Sequence, residues 1–385
     1  MYLEPANIIY FILRNSMLFI LFYWGNKINK NTNSKQYWQY IFVPLLTFTL
    51  NEGLRWGRGI DYNSYYYTFK NIAEHGFNTE NEIGFSLIIQ ILNALGLNFQ
   101  ALVLLMSFTL IFSAIFLLKH YKEAVMFSLP LFATYTLLAE NLMRWYFAFS
   151  FFIIGLYYLI QKKNNLFLLF CCIGVSIHYA SIIYIPLFYL VSKIKKIPIK
   201  PIYACFLFIF IYIFFSPKMM GQFTDFLQQI NLGTRFLQYQ ENAEYWLTDE
   251  GKDLSMKLSH TDTINALFVI VLGYKIIKYY RPNLIFIYNI TLIGLITAPA
   301  MAQIELLARI NSVLTLFQYI ILAYIFKLIL VNKIKVHRFT YIFTWIILLN
   351  FIRGFITIPL TTDPNHLLYI WDANGRAVLD VDRYY

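Results

Sequence analysis

Arg55, Arg58, Asp61 and Tyr62 crowd into the stretch NEGLRWGRGIDYNSYYYTF, between two apolar segments. A guanidinium beside hydrocarbon is costly unless it is paired or faces water, and its planar fork of donors suits phosphate oxygens. Gly57 and Gly59 favour a tight bend whose backbone N–H groups approach a ligand, which would make an anion site. The alternative is local helix, in which Arg58 and Asp61 stand three residues apart and simply pair. Arg144 and Arg309 pose the same choice. Each follows a glutamate by four residues, Glu140 and Glu305, and each opens a long apolar run, so it either pairs along its own helix or points into a cavity. For Arg14 and Arg353, snorkelling out of their apolar runs is the leading account. His178 in GVSIHYASI is suited to shuttling a proton or donating a hydrogen bond to a diphosphate, with a hydrogen-bonded interfacial histidine as the alternative. No second histidine or carboxylate lies close to it in sequence, so no metal site is expected.

The elements that position these residues follow from composition. Of 385 residues, 59% are hydrophobic and only 13% charged, the mean hydropathy is +0.56, and long apolar runs alternate with short lysine-rich connections. This is the pattern of a polytopic helical membrane protein; a β-barrel would alternate polar and apolar residues instead. The formal charge of +11 is spread over the span boundaries rather than gathered in one stripe, which suits anionic lipid headgroups and argues against nucleic acid as a partner. Cys171, Cys172 and Cys205 all lie in apolar runs and read as packing residues. The first apolar stretch carries Arg14 and Asn15 and lacks a cleavage signal, so it is expected to stay as the first span. Phosphate loops, dinucleotide fingerprints, HExxH and G-x-S-x-G are all missing from the sequence, which removes support for nucleotide-driven transport.

The expected fold class is an all-α polytopic integral membrane protein of about 10–12 transmembrane helices, in a single domain over 1–385. Short loops carrying Lys27 to Lys35, Lys119 and Lys122, Lys162 and Lys163, Lys193 to Lys200, Lys275 to Arg281, and Lys333 to Arg338 belong in the cytoplasm. Both termini, the region 52–98 and the acidic excursion 216–262 then face the other side, and 359–385 forms a polar tail. Within 52–98, residues 83–97 are expected to form an interfacial amphipathic helix, because a crossing there would reverse every later loop. The stretch 166–192 spans only about 40 Å as one helix, yet its flanking lysines want the same side. A re-entrant or broken hairpin with His178 and Tyr179 at its tip reconciles the two. The 216–262 excursion, with Arg235 and the aromatics Tyr239, Tyr245 and Trp246, reads either as a solvated loop or as one wall of a groove for a polar polymer.

At these residues the chain resembles the EpsG-like family, part of the Wzy-type bacterial polysaccharide polymerases. The resemblance rests on GLRWGRGIDYNSYYYTF at 53–69, EIGFSLI at 82–88, the Arg144 run NLMRWYFAFSFFIIGLYYLIQKK, and SIHYASIIYIPLFYL at 176–190. Gly59, Asp61 and Tyr65 match the family's G-x-D-x-x-x-Y block with Arg55 upstream, Arg144 matches its helix-opening arginine, and His178 its hairpin histidine. The run after Arg144 departs from the family mainly in its aromatic bulk. The resemblance implies joining of repeat-unit oligosaccharides, donor and acceptor both carried on polyprenyl diphosphate, at the outer side of the bacterial inner membrane, for a capsule, exopolysaccharide or O antigen. It implies no cofactor, and membrane lipids and a chain-length-regulating membrane protein as further partners. The site residues it suggests are Asp61, His178 and Arg144 for catalysis, with Arg55, Arg58, Tyr62, Tyr65, Arg309 and Arg235 for diphosphate and substrate; the base is either Asp61 or His178.

Three other readings use the same features. A flippase would place the arginines in an alternating-access cavity, but internal symmetry is not visible in the sequence. A glycan ligase would share the reaction and differ in acceptor. An O-acetyltransferase would want a histidine on the cytoplasmic side, where His120 and His337 lie without a supporting constellation.

Overall fold

The computed structural model describes residues 4–59, 61–76, 82–215, 258–302 and 305–372. Helices dominate them, and extended pairing among them is confined to an isolated antiparallel bridge between Arg55 and Tyr369. Six helices are long and apolar enough to cross a membrane: Pro5–Asn26, Phe99–Leu118, Met143–Ile160, Pro282–Met301, Leu307–Val331 and Arg338–Thr361. Shorter apolar helices, including Ile83–Ala94, Asn164–Ile177 and Pro201–Phe214, lie among them. The chain is an all-α, multi-pass membrane protein.

It forms two compact units, Met1–Ser192 with Phe326–Tyr385, and Lys193–Ile325. In the first, α1 (Pro5–Asn26) packs on α2 (Ser34–Gly53), which carries a capping box formed by Asn33 and Gln36. Proline at the first turn of α1 removes one of the N–H groups that a helix start leaves unpaired. The chain then runs through the short helices α3 (Tyr62–His75) and α4 (Ile83–Ala94) into α5 (Phe99–Leu118), capped by Asn98, and the bent α6 (Val125–Tyr135). A 3₁₀ turn, Leu137–Glu140, leads to α7 (Met143–Ile160), against which α5 and α8 (Asn164–Ile177) pack. Lysine-bearing turns gather at one end of this unit, where Lys122 Nζ donates to the Thr32 carbonyl at 2.6 Å. The 54–61 loop and the 137–142 turn lie together at another place, where the Asp61 N–H donates to Asn141 Oδ1 at 2.9 Å.

Within 83–97 the structure places the helix α4. Twelve residues of α4 reach about 18 Å, too short to cross. One face buries Phe85, Ile89 and Leu92 while Ile83, Leu87 and Ile91 are exposed, as a helix lying among lipids would have them.

The broken hairpin at 166–192 is also found. Helix α8 runs antiparallel to α7, with Phe167 beside Gly155 and Gly174 beside Phe152. It stops at His178, whose backbone is extended. A 3₁₀ turn follows, and α9 (Tyr184–Lys193) turns back along α7: Tyr184 meets Trp145, Phe149 and Phe152, and Phe188 meets Phe152. The break does not waste its carbonyl, because Ser181 donates to the His178 oxygen through both its N–H (3.1 Å) and its hydroxyl (2.6 Å). Satisfying that carbonyl inside the protein lets the helix break there without leaving the group orphaned.

The described part of the C-terminal segment is docked on the protein. The Arg338–Thr361 helix extends past 359, and the chain beyond it returns to the 54–61 loop. Trp56 N–H donates to the Leu368 carbonyl and Ile370 N–H to the Leu54 carbonyl, each at 3.0 Å. Asn7 on α1 holds the carbonyls of Pro359 (2.7 Å) and Thr362 (3.0 Å). Backbone amides and the Asn7 side chain together hold this docking. Residues 373–385 lie outside the described residues.

In the second unit a Ser259–Asp262 capping box starts the helix His260–Tyr279. Its Gly273 admits the Tyr288 ring from the neighbouring Ile285–Met301 helix, and Tyr288 Oη donates to the Ile270 carbonyl at 2.7 Å. Arg309 lies on Glu305–Leu316 in this unit. Most of the 216–262 excursion, including Arg235, falls outside the described residues.

Candidate functional site

The structure divides the charged side chains of the first unit into two clusters. The first is buried. Glu52, in the last turn of α2, takes Arg14 from α1 at 3.3 Å and Arg58 from the following loop at 3.8 Å. Arg58 reaches Glu140 on the 137–140 turn at 3.2 Å, and its guanidinium lies over the rings of Tyr10 (5.2 Å) and Tyr369 (4.9 Å). Its side chain is 0% exposed. Arg55 donates Nη1 to the Glu52 carbonyl at 2.6 Å and approaches Ser107 Oγ at 3.4 Å. Burial drives the Glu140 carboxyl above the usual carboxylate range, against the pull of the Arg58 charge.

Gly59 makes the cluster possible. Its φ of +95° is a left-handed conformation, and any Cβ there would overlap the Glu140 carbonyl, so the loop can lie directly on the 137–142 turn only with glycine.

The second cluster is open to solvent on one side. Glu82, at the N-cap of α4, is 3% exposed and splits its carboxylate between two partners. Oε2 accepts from Arg144 Nη1 at 2.6 Å, and Oε1 lies 3.1 Å from His178 Nδ1. Arg144 opens α7 with its side chain 25% exposed, and His178 stands at the hairpin break, 16% exposed. The Trp145 ring meets the imidazole edge-on at 4.9 Å, and Phe85 lies under the Arg144 guanidinium at 5.5 Å. The Ile83 N–H donates to Tyr179 Oη at 3.3 Å. Gly84 again removes a collision, here with Ser176, so that the start of α4 can touch the end of α8. Burial acts first on Glu82 and would raise its pKa; the His178 hydrogen bond and the Arg144 charge outweigh it and hold the carboxyl below its ordinary range.

Of the alternatives open for Arg144 and Arg14, the structure takes neither the i,i+4 pair nor snorkelling. Glu140 and Arg144 do not pair as i and i+4, because the 3₁₀ turn ends at Glu140 and α7 begins only at Met143, so the two are not on one continuous helix. Each instead serves a different cluster. Arg14 does not snorkel: it is buried and held by Glu52, Tyr10 Oη (3.2 Å) and the Ala133 carbonyl (3.3 Å). Arg353 is exposed.

The remaining candidates fall around these clusters. Asp61 is the N-cap residue of α3. Tyr62 is buried, T-shaped against Phe99, with its hydroxyl 3.4 Å from the Arg55 carbonyl. Tyr65 packs edge-on against Phe85, the ring beneath Arg144, and so borders the open cluster. Arg309 is half-buried, and its carbonyl accepts from Ser312 Oγ at 2.7 Å. Glu82 and Glu52 were not expected as partners. Each is a lone carboxylate at a helix end, and only the fold brings its guanidiniums across from other elements. The one signal for Glu82 was its place at the head of the EIGFSLI block.

The family model for the EpsG family matches residues 37–365. The chain belongs to the EpsG family. This is a Wzy-type polymerase family, and the match covers α2 through the docked C-terminal segment, including every residue of both clusters except Arg14 and Tyr10 and the final part of that segment. Membership in the EpsG family supports a polysaccharide-polymerase-type role. No curated protein and no solved structure matches the chain.

Proposed function

We propose that this EpsG-family protein is a glycosyltransferase that joins polyprenyl-diphosphate-linked oligosaccharide repeat units on the extracytoplasmic side of the cytoplasmic membrane. The observation that carries the reading is the single Glu82 carboxylate shared by Arg144 and His178. A carboxylate accepts from Nδ1 and therefore favours the tautomer with its proton there, leaving the Nε2 lone pair to take a proton from a sugar hydroxyl. Arg144, paired but still exposed in part, presents donors suited to a diphosphate oxygen. In the step we propose, the acceptor oxygen bonds to the donor's anomeric carbon and its proton goes to His178. The bond from that carbon to the phosphate oxygen breaks, and the lipid diphosphate leaves with the electron pair, its charge met by Arg144.

Of the arginines expected to hold diphosphate, Arg58 gives place to Arg144 in this mechanism, because its guanidinium is wholly enclosed by Glu52, Glu140, Tyr10 and Tyr369. Asp61 gives place to His178 as base. Purified protein incubated with a lipid-diphosphate-linked repeat unit should yield a ladder of longer lipid-linked glycans, and Arg144→Ala should remove it while the protein still folds. Intact substrate crossing liposomes without any new glycosidic bond would replace this reading with a flippase.

A further inference from the structure

Between α2, α5, α7 and the 137–140 turn lies a pocket of about 340 Å³, its open mouth included. Glu52, Arg55 and Ser107 line it with Thr136 and Glu140, while Phe48, Tyr146 and Phe147 supply apolar walls. The space it leaves takes about one water-sized group. One lining group is left wanting. Arg55 is 4% exposed and spends Nη1 inside the protein, yet its buried Nε has no hydrogen-bond partner. Glu140 Oε1 is ion-paired with Arg58 Nη1 at 3.2 Å, and a carboxylate oxygen so paired still has a lone pair to accept from a hydroxyl.

The charges select what fits. Two carboxylates on the lining disfavour a phosphate, and Arg55 with Arg58 beside it disfavours an ammonium. A neutral hydroxyl satisfies both sides, accepting from Arg55 Nε–H and donating to Glu140. We infer that this pocket is a recognition subsite for a neutral, hydroxyl-bearing arm of a sugar, of the size of a hydroxymethyl group, with Arg55 as donor and Glu140 as acceptor. The inference rests on the glycan reading of the function. It gives Arg55 a role in reading the sugar in place of binding diphosphate.

Binding to the purified full-length protein tests it without turnover, so a failure here is distinct from a failure to polymerise. The probes are methyl glycosides of common aldohexoses and their 6-deoxy counterparts, followed by saturation-transfer NMR and competition. At least one hexoside should receive saturation at its C6 protons and bind about tenfold more tightly than its 6-deoxy analogue, because a site built for a hydroxyl penalises the analogue that lacks it. Ala139→Leu, which narrows the pocket from the 137–140 turn without touching a charge, should abolish the C6 signal. Leu110→Phe fills it from α5 and serves if the first variant does not fold. Equal affinity for hexoside and 6-deoxyhexoside, an unchanged C6 signal in a folded filled variant, displacement by inorganic phosphate, or no binding by any hexoside would each overturn the proposal.

Discussion

The two charged clusters of the first unit use the same side-chain types to opposite ends. Around Glu52 and Glu140, the guanidiniums of Arg14 and Arg58 meet two carboxylates under cover of Tyr10 and Tyr369, and Arg58 has no exposed surface. Around Glu82, one guanidinium and one imidazole share one carboxylate with a quarter of the Arg144 side chain in solvent. Burial separates them. A guanidinium enclosed by carboxylates and rings has no surface left for a ligand, whereas one fixed by a single carboxylate and partly exposed keeps donors for a ligand and a defined direction. Counting arginines near a membrane boundary therefore finds both kinds without distinguishing them.

The comparison is broken most directly by Arg58→Ala. Removing the guanidinium leaves Glu140 without its ion-pair partner and Glu52 with Arg14 alone, and we expect a loss of about 3–5 kcal/mol, read as lower thermal stability and poorer yield in detergent. A stable, well-inserted Arg58→Ala protein would show that the buried cluster is not structural. Arg144→Ala should instead fold normally and lose polymerising activity by about 10²–10³-fold; misfolding of this variant would erase the distinction between the clusters.

His178→Gln sharpens the open side. It keeps a polar side chain but removes the base, and the rate should fall by about 10²-fold with substrate binding little changed. A large rise in apparent KM at unaltered turnover would move His178 from proton transfer to binding.

The docked C-terminal segment belongs to the buried side of the comparison. Tyr369→Ala removes a ring from over Arg58, and by cavity formation should cost about 3 kcal/mol, while Tyr369→Phe should cost little because Tyr369 Oη reaches Asn51 Oδ1 only at 3.5 Å. Urea or thermal unfolding of both variants side by side checks the order.

The smallest expected effect is a pH dependence. Glu82 has a folded pKa held below the ordinary carboxylate value of 4.5. Its contribution is therefore complete above about pH 4.5, the unfolded value, and is lost as pH falls through the lower folded one. The stability difference between wild type and Glu82→Gln should shrink on acidification below pH 4.5, and a difference that stays constant or grows there would contradict the ion-paired geometry.

Much of this was open to reading from the chain. Apolar run lengths and lysine placement give an all-helical membrane protein, and the shortness of 166–192 between two lysine turns already requires a break, which falls at His178. Arg144 and His178 stand out because each is a costly residue type in apolar surroundings. Local spacing could not decide between the alternatives for Glu140 and Arg144, since four residues imply a shared helix face only if the helix is continuous, and a 3₁₀ turn intervenes.

By itself, then, the sequence determined the class of fold, the hairpin and the residue types that can do chemistry, because hydrophobic run length and the cost of charge near lipid act locally along the chain. Tertiary structure alone decided the partners. Glu82 stands 62 residues from Arg144 and 96 from His178, and the Arg14–Glu52 pair spans 38. Which guanidinium ends buried and which stays open depends on glycine-permitted approaches at Gly59 and Gly84 and on a C-terminal segment held by backbone hydrogen bonds. No periodicity in the chain encodes those contacts, because each is made between elements that only packing brings together.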